Sequence, residues 1–315
     1  MTARPIVGAS VDLGSNSVHL LVAAIAGHRL RPLDDESAFL GLGAAIDQQG
    51  TLGRAATERL VVTLITYATT ARQLGAAAIV FLGTEPIRRA ADAATLVDVV
   101  GRATGVPLHV LSHEEEAYLT LIGVTEGRPV THETLVLDIG GGSSEFCAVG
   151  PRSRARAAGV RLGSNRLATR IGAQDPPTTR EIAAMQSLAD EALAGAFDDR
   201  PREIIAVGGT VTNLLKVTAG GTTDRILTRD RLSEALDVLG ASPAAATIER
   251  YGINPTRARL LPAGAVIVDA ILRRYGMDRL TVSDAGLREG AIFAVDHAGP
   301  AWRDRLPELA HGWRT

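Results

Sequence analysis

Lysine and cysteine are almost absent from this 315-residue sequence. Lys216 is the only lysine among 33 basic residues, so no Gly-x-x-x-x-Gly-Lys-Ser/Thr string exists and a P-loop NTPase is excluded. Cys147 is the only cysteine, which excludes an internal disulfide. Because Cys147 lies within an apolar strand pattern, we expect a buried and inert thiol.

Long apolar runs and a strong charge of either sign are also missing. No run reaches the roughly 18 apolar residues that a membrane span needs, and the first residues do not resemble a signal peptide. The expected location is therefore the cytoplasm. The net charge of −2 provides no general basic field for nucleic acid. A hydrophobic content of 46% is enough for two domains of ordinary size.

One pattern occurs twice, 126 residues apart: an apolar strand that ends in Asp, a turn of small residues, and a second strand. The first copy covers residues 9–20 and contains Asp12, and the second covers 135–146 and contains Asp138. A shorter echo covers 204–210. Turns of Gly, Ser and Asn can adopt positive φ and expose consecutive backbone N–H groups to phosphate oxygens. The repeat therefore predicts two facing phosphate nests, each with a carboxylate at its mouth, and a divalent cation.

Elsewhere the apolar periodicity alternates between strands and helices, which is typical of parallel β-α-β units. Further strands are predicted over residues 39–46, 76–82, 108–111, 155–160, 204–207 and 280–283. Helices are predicted over residues 54–74, from a loop at 83–86 to about 105, and over 112–124, 165–170, 179–197, 229–239, 243–251, 258–275 and from about 291. The breaker residues 127–129 divide the chain into lobes at 1–127 and 128–290, and we expect 291–315 to return to the first lobe as a helix.

Four strings carry a resemblance to a known family. They are VDLGSNS at 11–17, SHEEEA at 112–117, LDIGGGSSE at 137–145 and GLREG at 286–290. In this order they resemble the exopolyphosphatase/guanosine pentaphosphate phosphatase (Ppx/GppA) family of the actin-like ATPase superfamily. The resemblance implies an α/β fold of two actin-like (ribonuclease H-like) lobes, each a mixed sheet flanked by helices, with an active-site cleft between them. It also implies a hydrolase that releases orthophosphate from the ends of inorganic polyphosphate.

The resemblance assigns the reacting groups to the first lobe. Glu114, Glu115 and Glu116 are consecutive on a helix, so at most one of them faces a given point. Glu115 has the spacing of a capping box, whereas Glu116 precedes the motif alanine and matches the family's base that activates water. Arg88 matches the arginine that contacts the scissile phosphate, and its neighbour Arg89 is expected to face solvent.

The second lobe is expected to hold the metal. Asp138 and Glu145 flank the second turn and suit Mg²⁺, which prefers hard oxygen ligands. Asp12 is equivalent to Asp138, but His19 replaces Glu145 in the first copy. Either Asp could instead cap its own turn. The predicted phosphate-cradling residues are Gly14, Ser15, Asn16, Ser17, Gly141, Gly142, Ser143, Gly208, Gly209 and Thr210.

Other assignments stay open at this point. Arg288 either approaches the cleft or forms an ion pair with Glu289 or Asp284, and the seven histidines have no metal-ligand spacing. The chain ends 25 residues after Gly290, which resembles the family's short two-lobe form and suggests a preference for short polyphosphate. Alternative functions are a guanosine pentaphosphate (pppGpp) 5′-phosphohydrolase of the stringent response and a non-catalytic sensor of polyphosphate or (p)ppGpp. A homodimer is compatible with the sequence, but no pattern specifies it.

Overall fold

The computed structural model describes residues 5–218 and 223–313. The strands are, in chain order, β1 Ile6–Leu13, β2 Ser17–Ala26, β3 Arg29–Phe39, β4 Ala78–Gly83, β5 Leu108–Val110, β6 Thr134–Ile139, β7 Ser144–Val149, β8 Arg156–Val160, β9 Glu203–Val207, β10 Ile226–Thr228 and β11 Arg279–Val282. The helices are α1 Leu42–Gln49, α2 Gly53–Gln73, α3 Glu85–Arg89, α4 Ala93–Thr104, α5 His113–Thr125, α6 Ser164–Ile171, α7 Thr179–Leu193, α8 Gly209–Thr218, α9 Arg229–Ala241, α10 Ala244–Tyr251, α11 Pro255–Ala258, α12 Leu261–Tyr275, α13 Leu287–Ala298 and α14 Leu306–Leu309.

The chain forms two compact units. Unit 1 comprises residues 1–129 together with 285–315, and unit 2 comprises 130–284. Among the described residues, no helix is both long and apolar enough to span a bilayer.

The two units share one sheet topology. The strand order is β3-β2-β1-β4-β5 in unit 1 and β10-β11-β9-β6-β7-β8 in unit 2. Read from β8, the second order repeats the first and adds β10 as an antiparallel edge strand. The hairpin registers also match, since Asp12 pairs with His19 and Asp138 pairs with Glu145. Two related mixed sheets flanked by helices confirm the predicted fold class.

Each unit has its own apolar core. In unit 1, α2 packs its Leu60, Leu64 and Ala68 face against the sheet, and all three side chains are fully buried. In unit 2, α12 is buried nearly all round, which is typical of a helix at the centre of a core. Burial of each large aliphatic side chain contributes roughly 2 kcal/mol to stability. The two helices α2 and α12 therefore contribute much of the stability of their units.

The helix pair α5 and α13 completes unit 1 across a long separation in sequence. A Cβ at Gly123 would lie 1.9 Å from the Gly286 carbonyl oxygen, and one at Gly290 would lie 1.8 Å from the Leu119 oxygen. The two helix backbones therefore touch, and no side chain fits at either glycine. Apolar residues of the final segment, Phe293 among them, extend this contact into a cluster with Leu119.

The predicted strand over residues 39–46 is wrong. The third strand is β3, which ends at Phe39, and α1 follows it directly. Gly41 adopts a left-handed φ of 63° and ends the strand, while Leu42 and Ile46 lie one turn apart and are buried. β3 escaped prediction because it is an edge strand rich in charge, with a register shift opposite Val22.

Several smaller features also differ from prediction. The helix expected to reach residue 105 is two helices, α3 and α4, and the one expected over 258–275 is α11 followed by α12. The last long helix begins at Leu287 rather than 291, and β10 was not predicted. The shorter echo of the repeat, at residues 204–210, is not a hairpin, because β9 leads through Gly208 into α8.

Candidate active site

The two hairpin turns have the same internal hydrogen bond. The Gly14 N–H donates to the Ser17 oxygen over 3.1 Å, and the Gly140 N–H donates to the Ser143 oxygen over 3.0 Å. These turns do not use the positive φ that their composition allows, because none of residues 14–17 and 140–143 has one. Exposure of backbone N–H groups therefore needs another cause.

In unit 2 that cause is helix α6, whose first turn binds the carbonyls of the glycine turn. The oxygens of residues 140, 141 and 142 accept hydrogen bonds from the Ser164 N–H, the Arg166 N–H and Arg166 Nε, over 3.1, 3.0 and 2.7 Å. The C=O and N–H of a trans peptide point in opposite directions, so the N–H groups of Gly141, Gly142 and Ser143 point away from α6. Within the described residues these three N–H groups donate no hydrogen bond, which leaves them available to an anion.

Unit 1 repeats this arrangement with α1 in place of α6. The Ser15 oxygen accepts from the Gly43 N–H over 2.8 Å, and the Asn16 oxygen accepts from the Gly41 N–H over 2.9 Å. The Asn16 and Ser17 N–H groups accordingly point away from the start of α1. Both predicted cradles thus have their carbonyls tied back by a following helix.

The shorter echo, at residues 204–210, lies beside the second glycine turn at Asp138. Strand β9 runs parallel to β6, and Gly208 follows the residue paired with Asp138. Gly208 has a φ of 99°, and a Cβ there would lie 2.7 Å from Asp138 Oδ1. Gly209 and Thr210 form the first turn of α8, where the helix dipole favours anions. The predicted residues of unit 2 are therefore neighbours in space.

Glu145 is held on the strand next to Asp138. Residues directly opposite in an antiparallel pair project from the same face, so the register places both carboxylates on one side of the sheet. Glu145 is only 4% exposed, and the Ser143 hydroxyl donates to its Oε1 over 2.6 Å. Two carboxylates of which one is buried and oriented form a donor set that fits Mg²⁺. The equivalent pair in unit 1 is Asp12 with His19, so that turn lacks the second carboxylate.

The three consecutive glutamates of α5 have three different environments. Ser112 caps the helix: its hydroxyl accepts from the Glu115 N–H over 3.1 Å, and its own N–H donates to Glu115 Oε2 over 2.7 Å. Glu115 also pairs with Arg303. Burial works to raise the pKa of Glu115, but the hydrogen bonds from Arg303 and Ser112 hold it below its usual value. Glu114 is exposed, whereas Glu116 is only 6% exposed.

Arg88 and Glu116, the predicted reacting pair, are in direct contact within unit 1. Arg88 Nη1 donates to Glu116 Oε1 and to the Leu111 carbonyl oxygen. Arg88 Nη2 lies 3.0 Å from His113 Nδ1. Arg88 lies on α3 and Glu116 in the first turn of α5, two helices that follow the parallel strands β4 and β5.

Arg89 does not face solvent as predicted. Its guanidinium forms ion pairs with Glu85 at 2.6 Å and Asp47 at 2.8 Å. Glu85, in turn, is buried and accepts a hydrogen bond from the Ser15 hydroxyl over 3.3 Å. Glu85 therefore ties the first turn to α3, and Arg89 balances the negative charge of Glu85 next to Arg88.

Arg288 has a structural role with a partner that was not predicted. Its guanidinium donates to Asp35 over 2.6 Å and to the Leu20 oxygen over 3.0 Å, which ties α13 to β2 and β3. Burial opposes the charged form, yet the hydrogen bond to Asp35 raises the pKa of Arg288 overall. The two predicted partners are engaged elsewhere: Glu289 accepts from the Gly286 N–H over 2.8 Å, and Asp284 pairs with Arg225.

Sequence reasoning missed Arg257. Its Nη1 would lie 2.6 Å from a Cβ at Gly209, so the guanidinium packs on the start of α8. Burial lowers the pKa of Arg257, and within the described residues its guanidinium has no hydrogen bond or ion pair. No local pattern distinguishes Arg257 in a chain where nearly every cation is arginine, and only the fold brings it to Gly209.

Comparison with known proteins identifies the chain's relatives. The family model described as "Ppx/GppA phosphatase family" matches residues 21–297. Exopolyphosphatase 1 of Mycobacterium leprae (strain TN) is 30% identical over 300 residues, which cover 90% of this chain and 87% of that protein. Exopolyphosphatase 1 of Mycobacterium tuberculosis (strain ATCC 25618 / H37Rv) is 29% identical, with 90% and 86% covered.

Solved structures agree in fold. The crystal structure of the Aquifex aeolicus Ppx/GppA family member has a TM-score of 0.83 at 25% identity and covers 94% of this chain and 99% of its own. An exopolyphosphatase from Cytophaga hutchinsonii matches with a TM-score of 0.82 at 23% identity, over 92% and 97% of the chains. The protein is accordingly a hydrolase with the actin-like two-lobed fold, and it belongs to the Ppx/GppA phosphatase family.

Proposed function

We propose that the protein is an exopolyphosphatase that hydrolyses the terminal phosphoanhydride bond of inorganic polyphosphate and releases orthophosphate. The observation that carries the proposal is the turn at residues 141–143, where three consecutive N–H groups have no acceptor within the described residues. Backbone N–H groups arranged in this way bind phosphate oxygens. Relatives that are named exopolyphosphatases and align with 90% of the chain support the choice of substrate.

In this proposal unit 2 holds the phosphate chain. The N–H groups of residues 141–143 and the first turn of α8 donate to phosphate oxygens, and Arg257 adds positive charge beside Gly209. Asp138 and Glu145 would hold Mg²⁺, which supplies neutralisation of the phosphate charge.

Unit 1 carries the proton transfer. A terminal phosphate is released by in-line attack of water, and a base must take the proton of that water. Glu116 is the proposed base, because it is buried at the start of α5 and paired with the arginine that would contact the phosphate. A phosphate oxygen competes with Glu116 for Arg88, since arginine donates but cannot accept. Substrate binding would therefore loosen the ion pair and leave the carboxylate more basic when it is needed.

The test is orthophosphate release from polyphosphate with Mg²⁺ or with EDTA. Glu116→Gln keeps the shape of the side chain and removes the base, so we expect a loss of at least a hundredfold in kcat. Glu114→Gln is the matched control, because Glu114 is the exposed neighbour on the same turn, and it should retain wild-type activity. Equal activity of the Glu116→Gln protein and the wild type would refute the role of Glu116.

The same assay separates the alternative functions. A nest of backbone donors recognises the phosphate oxygens and not the chemical group to which the phosphate is attached. The comparison substrate is therefore pppGpp. Faster release of orthophosphate from pppGpp than from polyphosphate would favour the 5′-phosphohydrolase. Tight binding of polyphosphate without release of phosphate would identify a sensor. The proposed preference for short chains rests on the sequence resemblance alone, and equal turnover of chains hundreds of units long would refute it.

A further inference from the structure

We propose that Arg166 is a positioning residue for the phosphate cradle of unit 2, the N–H groups of residues 141–143. Its Nε–H holds the Gly142 carbonyl and thereby directs the Ser143 N–H at a phosphate oxygen. The inference rests on the proposed function, because it concerns how that cradle is kept in its binding geometry. It gives the role to a side chain of α6 and not to the helix backbone.

Arg166 holds two consecutive carbonyls of the glycine turn. Its backbone N–H donates to the Gly141 oxygen over 3.0 Å, and its Nε donates to the Gly142 oxygen over 2.7 Å. A trans peptide directs its N–H opposite to its C=O, so the first contact orients the Gly142 N–H and the second orients the Ser143 N–H. A substitution at residue 166 keeps the first contact, which the backbone makes, and changes the second.

The start of α6 lies directly on the glycine turn. Gly163 is the N-cap of α6, and a Cβ there would lie 2.4 Å from the Gly141 oxygen and 2.6 Å from the Gly142 carbonyl carbon. The two backbones therefore touch. Side chains on a helix lean toward its N-terminus, so Arg166, which is half-buried in the first turn of α6, reaches back to the Gly142 oxygen.

Unit 1 shows why unit 2 needs a side chain at this point. The equivalent carbonyl oxygen, that of Asn16, accepts from two backbone N–H groups, those of Leu40 and Gly41, over 3.1 and 2.9 Å. In the part of the chain that the structure describes, no backbone N–H donates to the Gly142 oxygen. The second copy therefore uses one guanidinium where the first copy uses the backbone. Because glycine turns freely, loss of that donor frees the peptide that carries the Ser143 N–H.

Three variants separate the hydrogen bond from the charge. The side-chain nitrogen of glutamine is as many bonds from Cα as Nε of arginine, so Arg166→Gln keeps a donor to Gly142 without the charge. Arg166→Met keeps a side chain of similar length and removes both the donor and the charge. Arg170→Gln is the matched control, because Arg170 is an exposed arginine one turn later on α6.

The expected effect is on substrate binding. Arg166→Met should raise KM for polyphosphate roughly tenfold, the effect of one hydrogen bond from a charged group, with kcat changed less than about threefold. The cradle holds the phosphate chain before and during the reaction, and loss of such uniform binding acts on KM. Arg166→Gln and Arg170→Gln should both keep KM within about threefold of the wild type. Thermal unfolding shows whether each variant is folded.

Several outcomes would overturn the inference. Equal rises in KM for the Met and Gln variants of Arg166 would show that its charge acts directly on the substrate. Wild-type KM in Arg166→Met would show that the Gly142 carbonyl needs no side-chain donor, and a loss confined to kcat would contradict a role in binding. If Arg166→Met does not fold, Arg166→Gln decides alone, because a rise in KM of about tenfold in that variant overturns the inference.

A spectroscopic measurement keeps the inference testable in a protein without activity. A carbonyl carbon that accepts a hydrogen bond resonates at higher frequency than a free one, so the carbon-13 signal of Gly142 should move to lower frequency in Arg166→Met and stay in place in Arg166→Gln. Inorganic triphosphate should shift the Ser143 amide signal less in Arg166→Met than in the wild type. An unchanged Gly142 signal in Arg166→Met would overturn the inference. Failure of wild-type phosphate release would instead count against the proposed function, so the two failures are distinguishable.

Discussion

Gly208→Ala is the substitution that most sharply tests the geometry of unit 2. The added methyl group would lie 2.7 Å from Asp138 Oδ1 and 3.1 Å from the Ile139 oxygen. A side chain at a φ of 99° is also strained, which costs about 1–3 kcal/mol. Because the Asp138 carboxylate can move and the Ile139 backbone can move little, the substitution should both destabilise unit 2 and displace Asp138.

Gly172→Ala supplies the matched control. Gly172 also has a positive φ, of 67°, and nothing lies within 4 Å of its would-be Cβ. It should lose about 1 kcal/mol of unfolding free energy from backbone strain alone, against about 2–4 kcal/mol for Gly208→Ala once the close contacts are added.

Two assays measure the outcome. Both tryptophans, Trp302 and Trp313, belong to unit 1, so urea unfolding of unit 2 is followed by circular dichroism instead. The Mg²⁺ concentration for half-maximal phosphate release should rise roughly tenfold in Gly208→Ala, since displacing a ligand or its support has effects of that size. If the two glycine variants have equal stability and equal Mg²⁺ dependence, Gly208 does not support Asp138 and the reasoning fails.

Three further predictions concern single side chains. Burial raises the pKa of the Cys147 thiol, so few thiolates form and a thiol reagent at pH 8 should modify the protein only after unfolding. The pKa of Glu115 is lower in the folded state, so its contribution to stability is complete above its ordinary value near 4.5 and is lost as the pH falls below it. Glu115→Gln should therefore make the free energy of unfolding, measured by tryptophan fluorescence, fall less steeply as the pH is lowered below 4.5. An unchanged dependence on pH would contradict this. Arg288→Ala should lower the free energy of unfolding of unit 1 by about 1–2 kcal/mol, and the same loss in an Asp35→Asn background would show that the pair is not coupled.

The sequence predicted best what is local and repeated. The hairpins and the Ser112 capping box depend on neighbouring residues, and they formed where they were expected. Helix α1 was missed although its counterpart α6 was predicted. The reason is that the two glycines beside Leu42, considered without the second copy, resemble the bulge or turn positions of a strand. A comparison of the two copies beyond the hairpin would have found it.

The site residues likewise divide into those that a motif identifies and those that only the fold brings to the site. Motif positions could name Arg88 and Glu116, but their contact depends on β4 and β5 being parallel neighbours. Arg257 carries no local signal, since its position beside Gly209 depends on which backbone the fold brings to it. The partner of Arg288 is distant in sequence, at Asp35, and nearer acidic residues misled the prediction.

The backbone contact between α5 and α13 bears on the order in which the protein folds during synthesis. Residues 130–284 form a continuous stretch and have a core of their own, whereas Leu119 of α5 stays partly uncovered until Phe293 and its neighbours leave the ribosome. We therefore expect the middle of the chain to reach its native state before the beginning does, against the usual order of amino-terminal domains first. A fragment that stops at Pro129 should accordingly be insoluble or bind chaperones, although it contains every strand of its sheet.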